Sequence, residues 1–442
     1  MANIVIGTRP MVAHLMQTFR LAKDLESRGH VVTYALGVSR LGALAESQGF
    51  RFYHLRLLNE SSKPESPNVL EKLVPQVGEL RRKRQETKEV FKALVDGTAL
   101  RTMVKDLEPD LIITDSTAIK YAVPFVAWKI PTIMVSPTLP SEWDDNVPHT
   151  HSHLIHTASR LNRYRCKVEW VRHRTVRHIK WMLGFSEYSD FRAVAEHHGL
   201  SYSQLVDRKP LAVRVRLPQM ILCPREFDFP RARRAGTYFL DSGVWPDYLT
   251  KDNDFPWDRL KPNMPLAYCS FGTRLPEYGK LKTNVTQLLR KIIEAFAAQN
   301  EFQLVVSVGS KFDMSAFGSL PDNVIIMNKW IPQIRVLSKA AVHITHGGFT
   351  SVRESIETEV PMIVIPFDAD QPGNAARIVY HNLGVRVLPN EFVGAKLIEL
   401  TRQVYTSPSF KENVHNMKIA FDRQRSKQSA ADIVESLLRE KS

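Results

Sequence analysis

Short apolar runs alternate with stretches of helical periodicity along most of the chain. In the first part of the chain the apolar runs predict strands over residues 3–6, 31–36, 50–57, 110–114 and 132–135. The periodic stretches predict helices over residues 15–28, 41–48, 70–107 and 118–128. Strands that alternate with helices indicate parallel βαβ units, and such sheets bind ligands outside the carboxyl ends of their strands.

The alternation is interrupted once and then resumes. Residues 140–215 have a mostly helical pattern, and residues 224–257 are rich in proline, glycine, aspartate and aromatic residues without periodicity. From residue 265 the strand and helix pattern returns. We therefore expect an α/β fold of two doubly wound, Rossmann-like domains. The expected bounds are an N-terminal domain over 1–223, a linker over 224–257, a C-terminal domain over 258–420 and a helix in 421–442 that crosses back to the first domain.

Length and composition agree with two folded domains. The chain has 442 residues, of which 43% are hydrophobic and 24% charged. The N-terminus lacks the basic start and unbroken apolar run of a signal peptide, and no segment is apolar over the length of a membrane span. The spacing of Cys166, Cys223 and Cys269 predicts neither a disulfide framework nor a zinc motif. We expect a reduced, cytoplasmic protein.

The positive charge of the chain, +14 in total, is concentrated in one segment. Residues 160–180 contain eight lysines and arginines and a single acid, Glu169, with apolar residues interspersed. This pattern is typical of a solvated basic face, or of an amphipathic helix that contacts an anionic membrane or an acidic acceptor. Nucleic acid is not an expected partner, because aromatic residues are few and no binding motif accompanies the charge.

Four histidines precede the basic segment at close spacing, and they are His149, His151, His153 and His156. Alternate histidines could bind zinc, but no cysteine or acid completes the ligand set. The sequence therefore favours an exposed loop for these four histidines, on the side of the N-terminal domain where a second substrate would bind.

The most informative stretch is HITHGGFTSVRES, in which a strand-like segment runs through two glycines into a helix. Unpaired amides and the helix dipole make such a helix N-terminus a binding site for phosphate. His346, Thr350 and Ser351 could add a side-chain donor and two hydroxyls. Glu354 follows Ser351 by three residues, so a capping box is an alternative function for this pair.

Polar and aromatic residues flank this stretch where strands are expected to end. Trp330 offers a flat surface for stacking a base, although an isolated tryptophan is more often a core residue. Asp370 and Gln371 follow the next strand, and their side chains suit adjacent sugar hydroxyls or, alternatively, a turn. The SFGT segment, with Ser270, Gly272 and Thr273, is a further strand end at which a loop could reach phosphates.

Together these spacings resemble the nucleotide-sugar signature of GT-B glycosyltransferases of the UDP-glycosyltransferase type, family 1. The residues that carry the resemblance are Trp330, Gln333, His346, Gly348, Ser351, Glu354, Pro361, Pro366, Asp370, Gln371 and Asn374. The chain departs from the plant signature at Thr350, which replaces asparagine, and in a shorter gap between Trp330 and His346 that looks like bacterial members.

The resemblance implies a role for each of these residues. Trp330 would stack on uracil and Glu354 would hold the ribose hydroxyls. His346 and Ser351 would bind the diphosphate, helped by Gly348, Thr350 and the Ser270–Thr273 loop. Asp370 and Gln371 would bind sugar hydroxyls, and Gln333 belongs to the same donor-binding set.

The N-terminal loop resembles the family as well, because the interval from His14 to His30 matches its first helix in length. By this resemblance His14 would be the general base that deprotonates the acceptor, and Asp115 would orient it. The loop departs from the family pattern at Ala13, which replaces glycine, and at Gln17, which replaces proline.

The implied function is the inverting, metal-independent transfer of a hexose to a hydroxyl of a small, largely hydrophobic acceptor such as a natural product. Glucose from UDP-glucose is the expected donor, and no further cofactor is expected. Two Asp-x-Asp triplets, at residues 252–254 and 368–370, lie in the linker and the sugar-binding loop and are not expected to bind metal. The alternatives are a membrane-docked lipid or envelope glycosyltransferase and an inactive homologue that acts as a partner subunit.

Overall fold

The computed structural model describes residues 1–57, 75–140, 142–182, 188–201, 206–207, 212–213, 215, 217–245, 255–272, 280–309 and 320–440. Its strands are β1 Asn3–Gly7, β2 Val31–Leu36, β3 Arg51–His54, β4 Leu111–Asp115, β5 Thr132–Ser136, β6 Val206–Asp207, β7 Ala212–Val213, β8 Gln219–Ile221, β9 Thr237–Phe239, β10 Leu266–Ser270, β11 Gln303–Ser307, β12 Val324–Met327, β13 Ala340–Thr345, β14 Met362–Val364 and β15 Gly384–Arg386. Its α-helices are Val12–Ser27, Ser39–Ser47, Pro75–Asp96, Thr98–Leu107, Ala122–Ala127, Arg160–Met182, Tyr188–His197, Lys280–Ala297, Gln333–Leu337, Phe349–Glu357, Gln371–Tyr380, Gly394–Thr406, Pro408–Lys427 and Ala430–Arg439.

Two large parallel sheets organise these elements. The first has the strand order β3-β2-β1-β4-β5-β8-β9 and the second the order β12-β11-β10-β13-β14-β15. In each sheet the order in which the chain adds strands reverses beside the strand that comes first in sequence. This reversal lies between β1 and β4 in the first sheet and between β10 and β13 in the second. These reversal points are where the loops of a doubly wound sheet diverge and leave a crevice. The predicted fold of two Rossmann-like sheets is confirmed.

Both faces of each sheet are buried, which explains the apolar runs in the sequence. In β1 the side chains of Ile4 and Ile6 pack on one face of the first sheet and Val5 packs on the other. All five residues of β4 are buried. The second sheet is covered in the same way by helices on its two faces.

The helix Ala430–Arg439 packs against the first sheet. Ile433, Val434 and Leu437 belong to the same buried cluster as β1 and the helix Val12–Ser27. Its N-terminus carries a capping box in which Ser429 and Asp432 exchange hydrogen bonds at 3.1 and 2.8 Å. The chain thus returns to the sheet from which it started.

Some local expectations differ from the structure. The predicted helix over 70–107 is divided at Gly97, whose φ of +69° ends one helix and begins the next. Strand β9 lies within the segment expected as linker, and the domain bounds stay a prediction. The expected loop over 59–68 and the triplet at 252–254 lie outside the described residues. Within the described chain, none of the helices combines the length and the apolarity needed to cross a membrane.

Two buried arginines connect the second sheet to the first. Arg353, in the helix Phe349–Glu357, donates hydrogen bonds to the carbonyl of Leu222 and to the hydroxyl of Ser242. Arg377, in the helix Gln371–Tyr380, donates to Oδ1 of Asp228 from Nε at 2.9 Å and from a terminal nitrogen at 2.5 Å. An apolar cluster around these helices contains residues from both halves of the chain. The two sheets are therefore packed into one body through buried contacts.

The carboxylate of Asp228 is the centre of this connection. It also accepts a hydrogen bond from Nε of Arg231 at 2.9 Å. Burial alone would raise the pKa of Asp228, but the charges and hydrogen bonds of Arg377 and Arg231 outweigh burial and hold it below its ordinary value. Burial lowers the pKa of Arg377, yet the neighbouring carboxylate opposes that shift. Both partners are thus charged at neutral pH.

We predict that Asp228→Asn destabilises the protein by about 3–5 kcal/mol, because it leaves two buried guanidinium groups without a counter-charge. Urea unfolding followed by near-ultraviolet circular dichroism at neutral pH measures the loss.

Because the folded pKa of Asp228 is depressed, the stability that its carboxylate contributes is complete above the ordinary pKa of 3.8 and is lost as the pH falls through the folded pKa. The variant should therefore lose less stability than the wild type when the pH drops below that value. Asp258→Asn, at an exposed carboxylate, is the control, and equal stability of Asp228→Asn and wild type would contradict the prediction.

Candidate functional site

His14 and Asp115 meet at the reversal point of the first sheet. His14 lies in the first turn of the helix that follows β1, and Asp115 is the last residue of the neighbouring β4. Nδ1 of His14 is 2.6 Å from Oδ2 of Asp115, and the two residues are 8% and 1% exposed. The structure therefore brings together two residues that are 101 positions apart in the sequence.

Hydrogen bonds from the surrounding backbone hold the carboxylate of Asp115 in place. Oδ2 also accepts from the amide of Arg9 at 3.2 Å, and Oδ1 accepts from the amide and hydroxyl of Thr117 at 2.8 and 2.7 Å. Burial would raise the pKa of Asp115, but the hydrogen bond and charge of His14 and the bonds from Thr117 outweigh burial and lower it. Since an ionised carboxylate only accepts, Nδ1 of His14 must be the donor, and in the neutral form of the ring Nε2 carries the lone pair.

A cavity of about 480 Å³ lies at the carboxyl ends of β1, β2 and β4, and its lining includes Thr114, the residue before Asp115, but neither His14 nor Asp115. Thr8 and Pro10, in the loop that leads to His14, form one wall. The other walls are mostly apolar and include Val5, Leu36, Leu41, Leu55, Leu100, Met103 and Phe125. A few polar groups face the same space, namely His54, Arg56, Thr114 and Tyr121. An apolar lining with few polar groups is typical of a site for a small organic molecule.

A second group of predicted residues lies at the reversal point of the second sheet. Ser270 ends β10 and Gly272 follows it, while His346 and Gly348 follow the adjacent β13. A Cβ atom at Gly272 or Gly348 would lie 2.8 or 2.5 Å from Nε2 of His346. The two glycines thus leave room for the imidazole ring. Thr273 lies outside the described residues.

The helix Phe349–Glu357 begins without a side-chain cap. Gly348 is the cap residue, and Thr350 and Ser351 lie within the first helical turn. The capping-box interpretation of Ser351 and Glu354 is therefore wrong, because Ser351 comes three residues too late to cap the helix. No side-chain cap therefore occupies the first amides of this helix, which follow Gly348, and an anion would be stabilised there.

Trp330 precedes by three residues Gln333, whose side chain contacts Glu354. Trp330 is 50% exposed, so the core interpretation of this residue is wrong. Glu354 is 9% exposed, and its carboxylate accepts a hydrogen bond from Nε2 of Gln333. Gln333 in turn accepts from the hydroxyl of Tyr268 at 2.8 Å. The structure thus places Gln333 behind Glu354, as a residue that orients it.

The loop after β14 carries Asp370 and Gln371. The carboxamide of Gln371 is turned back onto its own loop, where Oε1 accepts from the amide of Phe367 at 2.8 Å. Asp370 accepts from Nδ2 of Asn374 at 3.0 Å, and the same nitrogen donates to the carbonyl of Gly347 at 2.9 Å. Burial raises the pKa of Asp370, and the hydrogen bond from Asn374 opposes this shift. Asn374 therefore fixes the two loops of the second sheet to each other.

The two groups of residues face each other across a cleft. Nε2 of Gln17, on the helix that carries His14, donates to the hydroxyl of Thr350 at 3.0 Å. The Gln17–Thr350 hydrogen bond joins residues 333 positions apart.

The loop that carries His149, His151, His153 and His156, called the histidine loop, contacts the second sheet's side of this cleft. His149 is 7% exposed, and its ring stacks on His173 with centroids 3.9 Å apart, so the expectation of an exposed loop is wrong at this residue. Burial and the neighbouring charge of His173 lower the pKa of His149 to about 2. The carbonyl of Thr150 accepts from the amide of Gly373 at 3.0 Å, directly behind Asp370. The glycine at position 373 is the sequence feature that could have indicated this contact, because a Cβ atom there would lie 2.2 Å from the carbonyl oxygen of Thr150.

No group of histidine, cysteine and carboxylate side chains in the described ranges has an arrangement that could hold a metal ion. The three cysteines are separate, buried thiols.

Comparison with known proteins finds a family model that is similar to part of the second half of the chain. Residues 281–427 match the family model described as UDP-glucoronosyl and UDP-glucosyl transferase. The chain is 28% identical to YdhE of Bacillus subtilis, described as an uncharacterized UDP-glucosyltransferase, over a region that covers 48% of this chain and 51% of the relative. The chain thus spans about half the length of that relative.

Two other similarities extend over nearly the whole chain. The oleandomycin glycosyltransferase of Streptomyces antibioticus is 24% identical across 99% of this chain and 91% of its own length. Among solved structures, the glycotransferase of kitacinnamycin has a TM-score of 0.71 at 23% identity and covers 99% of this chain and 98% of its own. At that identity the structural similarity shows the fold.

Proposed function

We propose that this chain, which has the GT-B fold, is a member of the UDP-glycosyltransferase family and that it transfers a hexose, with inversion and without a metal, to a hydroxyl of a small hydrophobic acceptor. UDP-glucose is the proposed donor. The observation that carries the proposal is the buried His14–Asp115 pair, which faces the uncapped N-terminus of Phe349–Glu357 across the cleft.

His14 is the proposed general base. Its Nε2 takes the proton of the acceptor hydroxyl, and Asp115 stabilises the imidazolium that forms. The acceptor oxygen attacks the anomeric carbon and forms the new glycosidic bond. The bond from that carbon to the phosphate oxygen breaks on the opposite side, and UDP leaves with the electron pair. A single displacement of this kind inverts the configuration of the anomeric carbon.

The charge that develops on UDP requires stabilisation at the other side of the cleft. The first amides of Phe349–Glu357, the imidazole of His346 and the hydroxyl of Ser351 supply it in our proposal. Thr350 adds a second hydroxyl, and Ser270 with Gly272 approaches from the adjacent strand. This arrangement of dipoles and donors takes the place of a metal ion.

Recognition of the donor is divided among the neighbouring loops. Trp330 stacks on the uracil, and Glu354, oriented by Gln333, binds the ribose hydroxyls. Asp370 binds hydroxyls of the sugar. Gln371 is turned toward its own loop, so it reaches the sugar only if its carboxamide rotates.

The acceptor occupies the cavity at the carboxyl ends of β1, β2 and β4. Its volume of about 480 Å³ and its mostly apolar lining support a small hydrophobic alcohol. The names of the oleandomycin and kitacinnamycin enzymes support a natural product as the acceptor. A reducing compartment such as the cytoplasm is proposed because the three buried cysteines are separate thiols.

We predict that His14→Ala lowers kcat for sugar transfer on the order of 10²–10⁴-fold while UDP binds with unchanged affinity, because the base acts on the acceptor alone. Asp115→Asn should lower kcat as well, since it removes the charge that fixes the imidazole. UDP release with a panel of UDP-sugars and hydrophobic alcohols measures the rate, and calorimetry measures UDP binding. His415→Ala, at an exposed histidine, is the matched control.

Two outcomes would contradict this proposal in different ways. Full activity of His14→Ala would show that another group is the base. A wild-type protein that binds UDP but releases none from any donor and acceptor would favour the inactive-homologue alternative.

We also predict that Trp330→Ala weakens UDP binding by about 5- to 150-fold, in line with the roughly 1–3 kcal/mol that stacking of one base on an aromatic side chain contributes. The ring is half exposed, so its removal should not disturb the core. Isothermal titration calorimetry with UDP tests the prediction, and Tyr164→Ala, at an exposed aromatic residue on another helix, is the control. Unchanged affinity in Trp330→Ala would exclude stacking at this site.

A further inference from the structure

The helix Arg160–Met182 exposes an apolar stripe to solvent. The members of this stripe are spaced by three, four or, once, eight residues and therefore share one face of the helix. They are Leu161, Tyr164, Val168, Val171, Ile179 and Met182, with exposures of 57, 65, 47, 54, 44 and 61%. The opposite face is the packed one, where Asn162, Cys166 and Trp170 are buried. The helix is thus anchored to the protein by one side and presents a second apolar side outward.

Cations flank the apolar stripe along both edges. Arg165 and Arg172 lie on one edge, and Lys167 and Arg174 lie on the other, all of them exposed. Long basic side chains beside an apolar face can extend to phosphate groups while their stems cover apolar surface.

We propose that this stripe docks the enzyme on an anionic lipid surface. A second copy of the chain is a poor occupant, because residues 160–180 carry eight lysines and arginines against the single acid Glu169, and two such helices would repel each other. An anionic bilayer matches both features of the helix, because its phosphates would bind the flanking cations and its acyl chains would bury the apolar side chains. The helix would lie in the plane of the interface and would not cross the membrane.

Docking would place the acceptor side of the enzyme at the membrane surface. The helix follows the histidine loop that contacts Gly373 at the cleft, so the membrane would lie on the side of the molecule that carries this loop. Hydrophobic alcohols concentrate in membranes, and docking would raise their local concentration at the enzyme.

Flotation of the full-length protein with vesicles tests the proposal. Vesicles of phosphatidylcholine with phosphatidylglycerol should carry the protein to the top of a sucrose gradient, and vesicles of phosphatidylcholine alone should not. Arg165→Gln with Arg172→Gln should weaken binding on the order of 20-fold. Val168→Ser with Val171→Ser should weaken binding as well, because it removes the apolar contact.

The controls lie on another exposed helix surface. Arg423→Gln with Ile419→Ser removes one cation and one exposed apolar side chain from Pro408–Lys427 and should leave flotation unchanged. The proposal is overturned if the wild type does not float with anionic vesicles or if the stripe variants float as well as it does. It is also overturned if sedimentation shows a dimer that Val168→Ser with Val171→Ser abolishes, because the stripe would then be a subunit interface.

A second inference concerns Gln17, which hydrogen-bonds to Thr350 across the cleft. Gln17 is 8% exposed, and its Oε1 atom accepts no hydrogen bond from any described residue. A buried acceptor without a donor is costly. The atom lies beside the first turn of Phe349–Glu357 and three residues after His14, on the same face of its helix.

We infer that Oε1 of Gln17 accepts a hydrogen bond from a hydroxyl of the donor sugar, an inference that rests on the proposed function. Phosphate oxygens only accept, so the diphosphate cannot satisfy this atom, whereas a sugar hydroxyl can. Gln17 is then a positioning residue that reaches the donor sugar from the acceptor side of the cleft. A proline at this position, as in the family pattern, has no such group.

Steady-state kinetics of Gln17→Leu test this inference. The KM for the sugar donor should rise about tenfold, while the Kd for UDP, which lacks the sugar, and the KM for the acceptor should stay unchanged. An unchanged donor KM would overturn the inference, and an equal loss of UDP affinity would reassign the contact to the nucleotide. Absence of transfer by the wild type with any UDP-sugar would instead overturn the proposed function.

Discussion

The buried hydrogen bonds of Arg353 and Arg377 fix the relation between the two sheets. Each arginine lies on a helix that begins at the donor side of the cleft, and each reaches residues of the segment from Leu222 to Gly243. A buried ion pair contributes little net stability, because desolvation offsets its attraction, but it tolerates very little change in geometry. Together with the apolar cluster around them, the two arginines hold His14 and the helix Phe349–Glu357 opposite each other.

In both sheets the proposed functional residues lie at the point where the strand order reverses, but the residue types differ between the two sheets. In each sheet the functional residues follow two adjacent strands from which the chain winds in opposite directions. In the first sheet this position holds a buried imidazole and carboxylate. In the second it holds glycines that make room for His346 and leave helix amides uncovered. In the proposed mechanism, acid–base chemistry and anion binding are thus separated between the two sheets and meet only in the cleft.

The sequence predicted most of the strands and helices, and its expectations failed where a side chain depends on distant partners. Apolar runs identified every strand around the cleft, because both faces of a parallel sheet are buried. Strand ends then indicated His14, Asp115 and His346. The burial of His149 and the inward turn of Gln371 depend on contacts with His173 and with the loop's own amides, which no spacing in the sequence encodes. Ser351 was also ambiguous, since its distance from Glu354 fits a capping box.

The return of the helix Ala430–Arg439 to the first sheet has a consequence for biosynthesis. Its side chains complete the core that β1 and the helix Val12–Ser27 begin, and Glu435 binds Arg28 at 2.9 Å across 407 positions. A ribosome that has made all the strands of the first sheet has therefore not yet made the helix that covers them. The part of the protein that is synthesised first is completed last, and the apolar surface that this helix covers stays without that cover until translation reaches the helix.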